Sequence, residues 1–278
     1  MEPLRGALFM TAAGLAFATL GGCVKAASTT LPTEMVVFLR AAIGTVILLP
    51  WIARRGWGFL RTRRPRAHLA RALFGVAAMY TFFYALARLT LAEAVLLSYT
   101  TPLFTPLFAW LWLREPLGVR LVVAALVGFL GVGLILRPDG HFASVAAWAG
   151  LASGALAALA MVTIRTMSDT EPPLRVVFYF GLLSTLVALP WAWAQGFPLD
   201  AAGLGWMVLA GAFASLGQFL ITNAYTHAPA AVVGPFTYST VFFAALLGWW
   251  FWGEGLDGWT LLGGLAIVAG GVLALRAK

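Results

Sequence analysis

Long apolar runs of roughly 20 residues, separated by short polar or Gly- and Pro-containing joints, make up nearly all of this chain. They fall at 6–25, 34–53, 70–88, 93–113 and 119–137, and then at 145–165, 174–194, 203–225, 230–252 and 258–276. Hydrophobicity fills each run instead of marking one face, so the pattern predicts helices whose outer surface meets lipid. The expected fold is an all-α integral membrane protein of ten transmembrane helices. Pro32, Pro116, Pro138, Pro172, Pro173, Pro198, Pro229 and Gly253 punctuate the joints. The run behind Arg5 has a loose signal-peptide look, but further runs follow it and it has a repeat partner, so it reads as a retained first helix.

The runs are also written twice. At a spacing of about 139, Tyr99 pairs with Tyr238, Glu115 with Glu254, Gly131 with Gly270 and Arg137 with Arg276. With one residue inserted, Val36-Val37-Phe38 answers Val176-Val177-Phe178, and Leu49-Pro50-Trp51 answers Leu189-Pro190-Trp191. Residues 1–139 and 140–278 therefore form two five-helix halves. An odd helix number forces the second half into the membrane from the opposite face. Inverted repeats of this kind suit alternating access around a midplane site.

Composition agrees, and charge adds direction. The chain is 62% hydrophobic and 10% charged, against roughly 25% charged in soluble domains. The net charge of +8 raises nucleic acid as a partner, but Arg54, Arg55, Arg61, Arg63, Arg64, Arg66 and Arg71 crowd one short joint. That placement fits topology and contact with anionic lipid head groups at Arg54–Arg66, and no nucleic acid. With both termini cytoplasmic, about fourteen basic residues lie inside and three, Lys25, Arg88 and Arg137, outside. The expected assembly is a monomer or homodimer. Cys23 is the single cysteine, which leaves no intrachain disulfide and no cysteine-based metal site. No metal or other cofactor is expected, and no triad or paired acid suggests an enzyme.

Ala85-Leu86-Ala87-Arg88, Tyr99-Thr100-Thr101-Pro102-Leu103, Leu113-Arg114-Glu115-Pro116-Leu117, Gly128 and Gly131-Val132 together resemble the core signature of EamA-type proteins of the drug/metabolite transporter superfamily. Ala224-Tyr225, Ala228-Pro229-Ala230, Gly253-Glu254 and Gly270-Gly271 resemble it again, and Lys25 and Leu39-Arg40 look like the family pattern. The resemblance implies a ten-helix inverted-repeat transporter of small metabolites in the bacterial inner membrane, with amino-acid exporters among its relatives. One departure is Phe17-Ala18, where relatives often carry Trp-Gly.

Several residues are candidates for a substrate cavity. Tyr80, Tyr84 and Arg88 share one helical face. Tyr99 and Thr101 sit beside Pro102, and Tyr238 beside Pro235, where proline frees backbone carbonyls and transporters build sites. Gln218, Thr222 and Tyr225 share a face of the eighth run, with Asn223 and His227 nearby. Arg40 lies inside a helix, at an insertion cost of at least about 2.5–3.5 kcal/mol, and with Lys25, Pro102 and Pro235 reads as structural or gating. No midspan carboxylate is expected, so neutral, zwitterionic or anionic solutes fit better than organic cations. Amino-acid or related metabolite export is the leading expectation. Uptake of a nucleoside-like or adenosyl compound and lipid handling are the alternatives.

Overall fold

The computed structural model describes residues 3–114, 118–136, 144–167, 170–197, 200–227 and 234–276. Among them every regular element is helical: α1 (Pro3–Ala27), α2 (Thr33–Arg55), a 3-10 turn (Trp57–Leu60), α3 (Pro65–Leu86), α4 (Leu91–Ser98), α5 (Thr101–Leu113), α6 (Val119–Leu136), α7 (Val145–Arg165), α8 (Pro173–Ala194), α9 (Ala201–His227), a 3-10 turn (Gly234–Tyr238), α10 (Ser239–Trp252) and α11 (Gly258–Arg276). Glu115, Pro116, Arg137, Pro138, Pro198, Pro229 and the side chains of Thr222, Tyr225 and Pro235 lie outside the described residues.

Local chemistry sets the helix starts. Pro65, Pro102 and Pro173 occupy first-turn positions of α3, α5 and α8, where a missing N–H costs nothing. Thr90 and Glu93 form a reciprocal capping box on α4. Ser144, Asp200 and Asp257 accept from Ala147, Gly203 and Thr260 N–H respectively. At the far end of α10, Gly253 takes φ +66°, the left-handed cap that glycine adopts without strain. Arg114, at the repeat-equivalent place after α5, holds φ 56° despite its side chain.

Among the described residues, seven segments are long and apolar enough to cross a bilayer: 4–27, 33–55, 65–86, 91–112, 145–164, 174–194 and 201–221, while α6 and α11 give shorter apolar stretches. Their outward faces carry Leu8, Val46, Trp110, Leu130, Trp191, Phe242 and Trp250, all exposed, as a lipid-facing surface requires. The arginine cluster is tighter than its sequence position implies. α2 runs on through Arg55 and α3 begins at Pro65, so the joint is 56–64 and Arg71 belongs to α3.

The expected run 93–113 is broken at Tyr99-Thr100, between α4 and α5. Pro102 cannot donate to the Ser98 carbonyl, and the Thr101 hydroxyl does so instead at 2.9 Å, while also reaching Gly154 O at 3.2 Å. A glycine of α7 seats this break: a Cβ on Gly154 would stand 2.9 Å from Leu97 O and 3.1 Å from Ser98 O. A glycine of α1 seats the second break, because a Cβ on Gly14 would stand 2.9 Å from Thr240 N. The main helix pairs are α1 with α9 and α10, α3 with α7 and α8, α2 with α8, and α6 with α11. The α6–α11 crossing brings the two backbones together. A Cβ on Gly131 would meet Gly263 O at 2.5 Å, and one on Gly270 would meet Ala124 O at 2.7 Å. Such contact is what the small-residue runs of those helices permit.

Candidate functional site

The larger described cavity, about 800 Å³, opens at the end of the bundle that carries the α1 C-terminus. Ser28 and Pro32 from the α1–α2 joint, Glu34 from the first turn of α2, and Tyr80, Tyr84 and Arg88 from α3 line it. Helical spacing stacks the three α3 residues on one face, as the sequence predicts. The Arg88 guanidinium lies 3.7 Å from the centre of the Tyr84 ring and donates to Tyr84 O at 3.3 Å. The buried Tyr80 hydroxyl has no hydrogen-bond partner. The cavity wall therefore offers a carboxylate, a guanidinium, two aromatic faces and a free phenol.

A smaller cavity, about 200 Å³, lies between α3 and α7. Arg71, Gly75, Met79 and Phe82 of α3 face Ser153 and Ala157 of α7 across it, with Ser98 at the helix break and Phe180 of α8. Neither cavity is lined by Tyr99, Thr101, Tyr238 or Gln218. Tyr99 and Tyr238 meet each other instead, ring centres 6.3 Å apart, and the Tyr99 hydroxyl donates to Thr240 Oγ1 at 3.0 Å. Gln218 is exposed on α9. Asn223 donates to Phe219 O at 2.8 Å, and His227 Nδ1 contacts Asn223 O at 2.8 Å. Arg40 is half-buried, its Nη1 3.0 Å from where a Cβ on Gly44 would stand.

Two polar nodes close the ends of the bundle. At the cavity end, Lys25 Nζ donates to Glu254 Oε1 and to Leu89 O, both at 2.5 Å. Glu254 Oε2 accepts the Leu91 N–H, the first of α4, at 2.7 Å. One carboxylate thus ties α1, α4 and the α10–α11 joint.

At the opposite end, Glu171, 3% exposed, fastens the α7–α8 joint to the arginine-rich one. It accepts from the Thr62 hydroxyl at 2.7 Å and the Arg63 N–H at 3.0 Å, and pairs with Arg175 Nη1 at 2.8 Å. His68 Nε2 stands 3.6 Å away. Arg175 Nε and the Tyr179 hydroxyl then hold Phe59 O and Leu60 O, each at 2.7 Å. Burial alone would raise the Glu171 carboxyl, but the Arg175 guanidinium, Thr62 and Arg63 outweigh it and hold it at about 2. A carboxyl depressed in the folded state contributes stability above its ordinary value near 4.5 and loses it as pH falls toward 2. Glu171→Gln should therefore lower the thermal midpoint at neutral pH and flatten its decline between pH 4.5 and 2. Parallel pH profiles for mutant and wild type would refute this role for Glu171.

Glu34, Arg71 and Glu171 were not singled out from sequence as site residues. Glu34 looks like an ordinary first-turn acid. Arg71 looks like part of the basic joint, although Pro65 at the start of α3 is a signal that the helix has already begun.

A lipid-facing helical bundle with polar cavities between its helices is the architecture of a multi-pass membrane transport protein. The chain belongs to the EamA-like transporter family, which residues 4–137 and 144–276 both match. It is 35% identical to the pseudopaline exporter of Pseudomonas aeruginosa, across 98% of this chain and 96% of that one. It is 33% identical to the riboflavin transporter of Vibrio cholerae, across 96% and 91%. The S-adenosylmethionine uptake transporter of Rickettsia bellii shares 26% identity over 88% and 84%. A solved crystal structure, 22% identical, has the same fold over 97% of this chain and 96% of its own, with a TM-score of 0.64. The chain is thus a membrane transporter and not an enzyme.

Proposed function

We propose that this protein is a secondary transporter that exports a small, polar, amino-acid-like metabolite across the bacterial inner membrane by alternating access. The observation that carries the reading is the larger cavity, where Glu34 and Arg88 share a wall with Tyr80 and Tyr84. A carboxylate and a guanidinium together match the two charges of a zwitterion. Its volume of about 800 Å³ falls within the roughly 300–1,000 Å³ of sites for small organic ligands. The pseudopaline exporter, at 35% identity, supports export.

Ten spans in two inverted halves complete the proposal. The helix pairs support it: exchanging each segment for its repeat partner turns α1–α9 into α7–α3, and α1–α10 into α7 with α4 and α5. With both termini cytoplasmic, the larger cavity faces the periplasm and the Glu171 node closes the cytoplasmic end. Arg54, Arg55, Arg61, Arg63, Arg64 and Arg66, all exposed, then meet anionic head groups on the cytoplasmic leaflet. Uptake of a flat heterocyclic metabolite is the second reading. Two tyrosine faces in the cavity and the riboflavin and S-adenosylmethionine relatives favour it.

Proteoliposomes loaded with labelled amino acids, riboflavin and adenosyl compounds test both readings and their direction. Tyr84→Ala and Arg88→Gln should each cut solute flux at least about tenfold, with folded protein recovered at wild-type yield. Undiminished flux in both variants would take this cavity off the route. Movement of labelled lipid alone would overturn solute transport itself.

A further inference from the structure

The smaller cavity contains an unmatched charge. Arg71 enters it from the second turn of α3, and its Nε is buried without an acceptor. Its guanidinium carbon lies 4.0 Å from the centre of the Phe180 ring. A Cβ on Gly75 would stand 2.5 Å from Arg71 Nη1, so the bare glycine makes room for the guanidinium. Among the described residues no carboxylate lines the cavity, whose only other polar side chains are Ser98 and Ser153. A cation inside the membrane is costly unless it meets a counter-charge or water. The ring fixes the plane of the guanidinium but offers its edge no oxygen. That edge is a fork suited to the two oxygens of a carboxylate.

The position matters as much as the charge. Tyr80 and Arg71 are nine positions apart on α3, about 13 Å along the helix, and α7 walls both cavities. The two cavities therefore lie in line along the same pair of helices. At about 200 Å³ the smaller is below the usual range for a whole ligand, which suits a charged end group.

We propose that the cavity around Arg71, Phe180, Ser98 and Ser153 is an anion station on the transport route that holds the carboxylate of the passing solute. This rests on the transporter reading above and narrows the solute to organic carboxylates, zwitterionic amino acids included. The same guanidinium chemistry would also accept a lipid phosphate, and the test separates the two.

The full chain in phosphatidylcholine nanodiscs is titrated with 4-fluorobenzoate and with uncharged 4-fluorobenzamide, followed by ligand-observed fluorine NMR against empty nanodiscs. The benzoate should bind at least about tenfold more tightly than the amide. Arg71→Gln should remove most of that preference, Arg71→Lys should keep part of it, and Arg61→Gln, in the exposed joint, should leave it intact. Equal binding of the two probes to wild-type protein would overturn the proposal. So would a preference undiminished by Arg71→Gln or lost with Arg61→Gln. If phosphatidylglycerol in the nanodisc displaces the benzoate, lipid phosphate is the occupant and the solute station falls. The transporter reading fails separately: an Arg71-dependent benzoate preference with no solute flux in proteoliposomes would keep the site and remove the route. Carboxylate flux unchanged in Arg71→Gln would keep the transporter and remove the station.

Discussion

Glu254→Ala should be among the most damaging single substitutions in the protein, lowering unfolding free energy by about 3 kcal/mol. The carboxylate has two charge-assisted partners on different segments, Lys25 Nζ and the Leu91 N–H. The side chains of Lys25 and Glu254 are only 12% and 16% exposed, so water does not replace what is lost. Removing the carboxylate leaves the ammonium without its counter-charge, with the Leu89 carbonyl as its remaining acceptor, and strands the first N–H of α4. Glu254→Gln keeps an acceptor for Leu91 and should cost about half as much. Lys25→Met combined with Glu254→Met should recover much of the loss, because a buried pair replaced by apolar side chains is often near neutral. Unfolding by SDS in mixed micelles, followed by tryptophan fluorescence, measures all three. A Glu254→Ala variant within about 0.5 kcal/mol of wild type would show that the node does not hold these segments together.

The second large effect is expected at the α6–α11 crossing. Gly131→Leu and Gly270→Leu should each prevent the two helices from meeting, with loss of folded protein. Gly131→Ala and Gly270→Ala should each cost about 1–3 kcal/mol. The obstruction is backbone in both cases, Gly263 O and Ile267 N for Gly131, and Ala124 O and Gly128 N for Gly270, so no rotamer change relieves it. The two alanine variants should fall short of additivity, since the first already parts the helices. Gly133 is an internal control two residues from Gly131: nothing lies within 4 Å of where its Cβ would stand. Gly133→Ala should therefore leave stability intact or improve it. The same SDS titration applies. Equal losses at Gly131 and Gly133 would point to helix propensity or lipid exposure as the cause, and not to the crossing.

What could be read from the sequence divides along a physical line. Burial in lipid demands unbroken apolar runs, so the helices were legible, and Pro102 marked the break between α4 and α5 because a missing N–H has a local consequence. Gly128, Gly131, Gly133 and Gly270 all belong to small-residue runs that let backbones touch, but the runs alone do not separate Gly131, at the crossing, from Gly133, which faces open space. Side-chain partnership was less accessible. The Tyr99–Tyr238 pairing appeared in the repeat, but alignment could not say that the two rings meet each other beside the cavities' walls. Glu171 touches Thr62 and Arg63 from 108 or more positions away, and no local pattern announces that. Arg71 was counted with the basic joint although the expected run 70–88 already contains it, because a charge a few residues from a basic cluster looks like part of that cluster.

The two glycine seats resemble each other in space, but they differ in the order of synthesis. Thr101 and Gly154 are 53 residues apart, so the first break finds its support roughly 3 to 10 s after it is made, at about 5–20 residues per second. Lys25 and Glu254 are 229 residues apart, and α1 waits roughly 10 to 50 s for α10 to be made. α1 is thus joined to α10 only after most of the described chain has been made. Through that interval Lys25 has the Leu89 carbonyl as its earlier partner, while the Gly14 notch stays unfilled until Thr240 has been made.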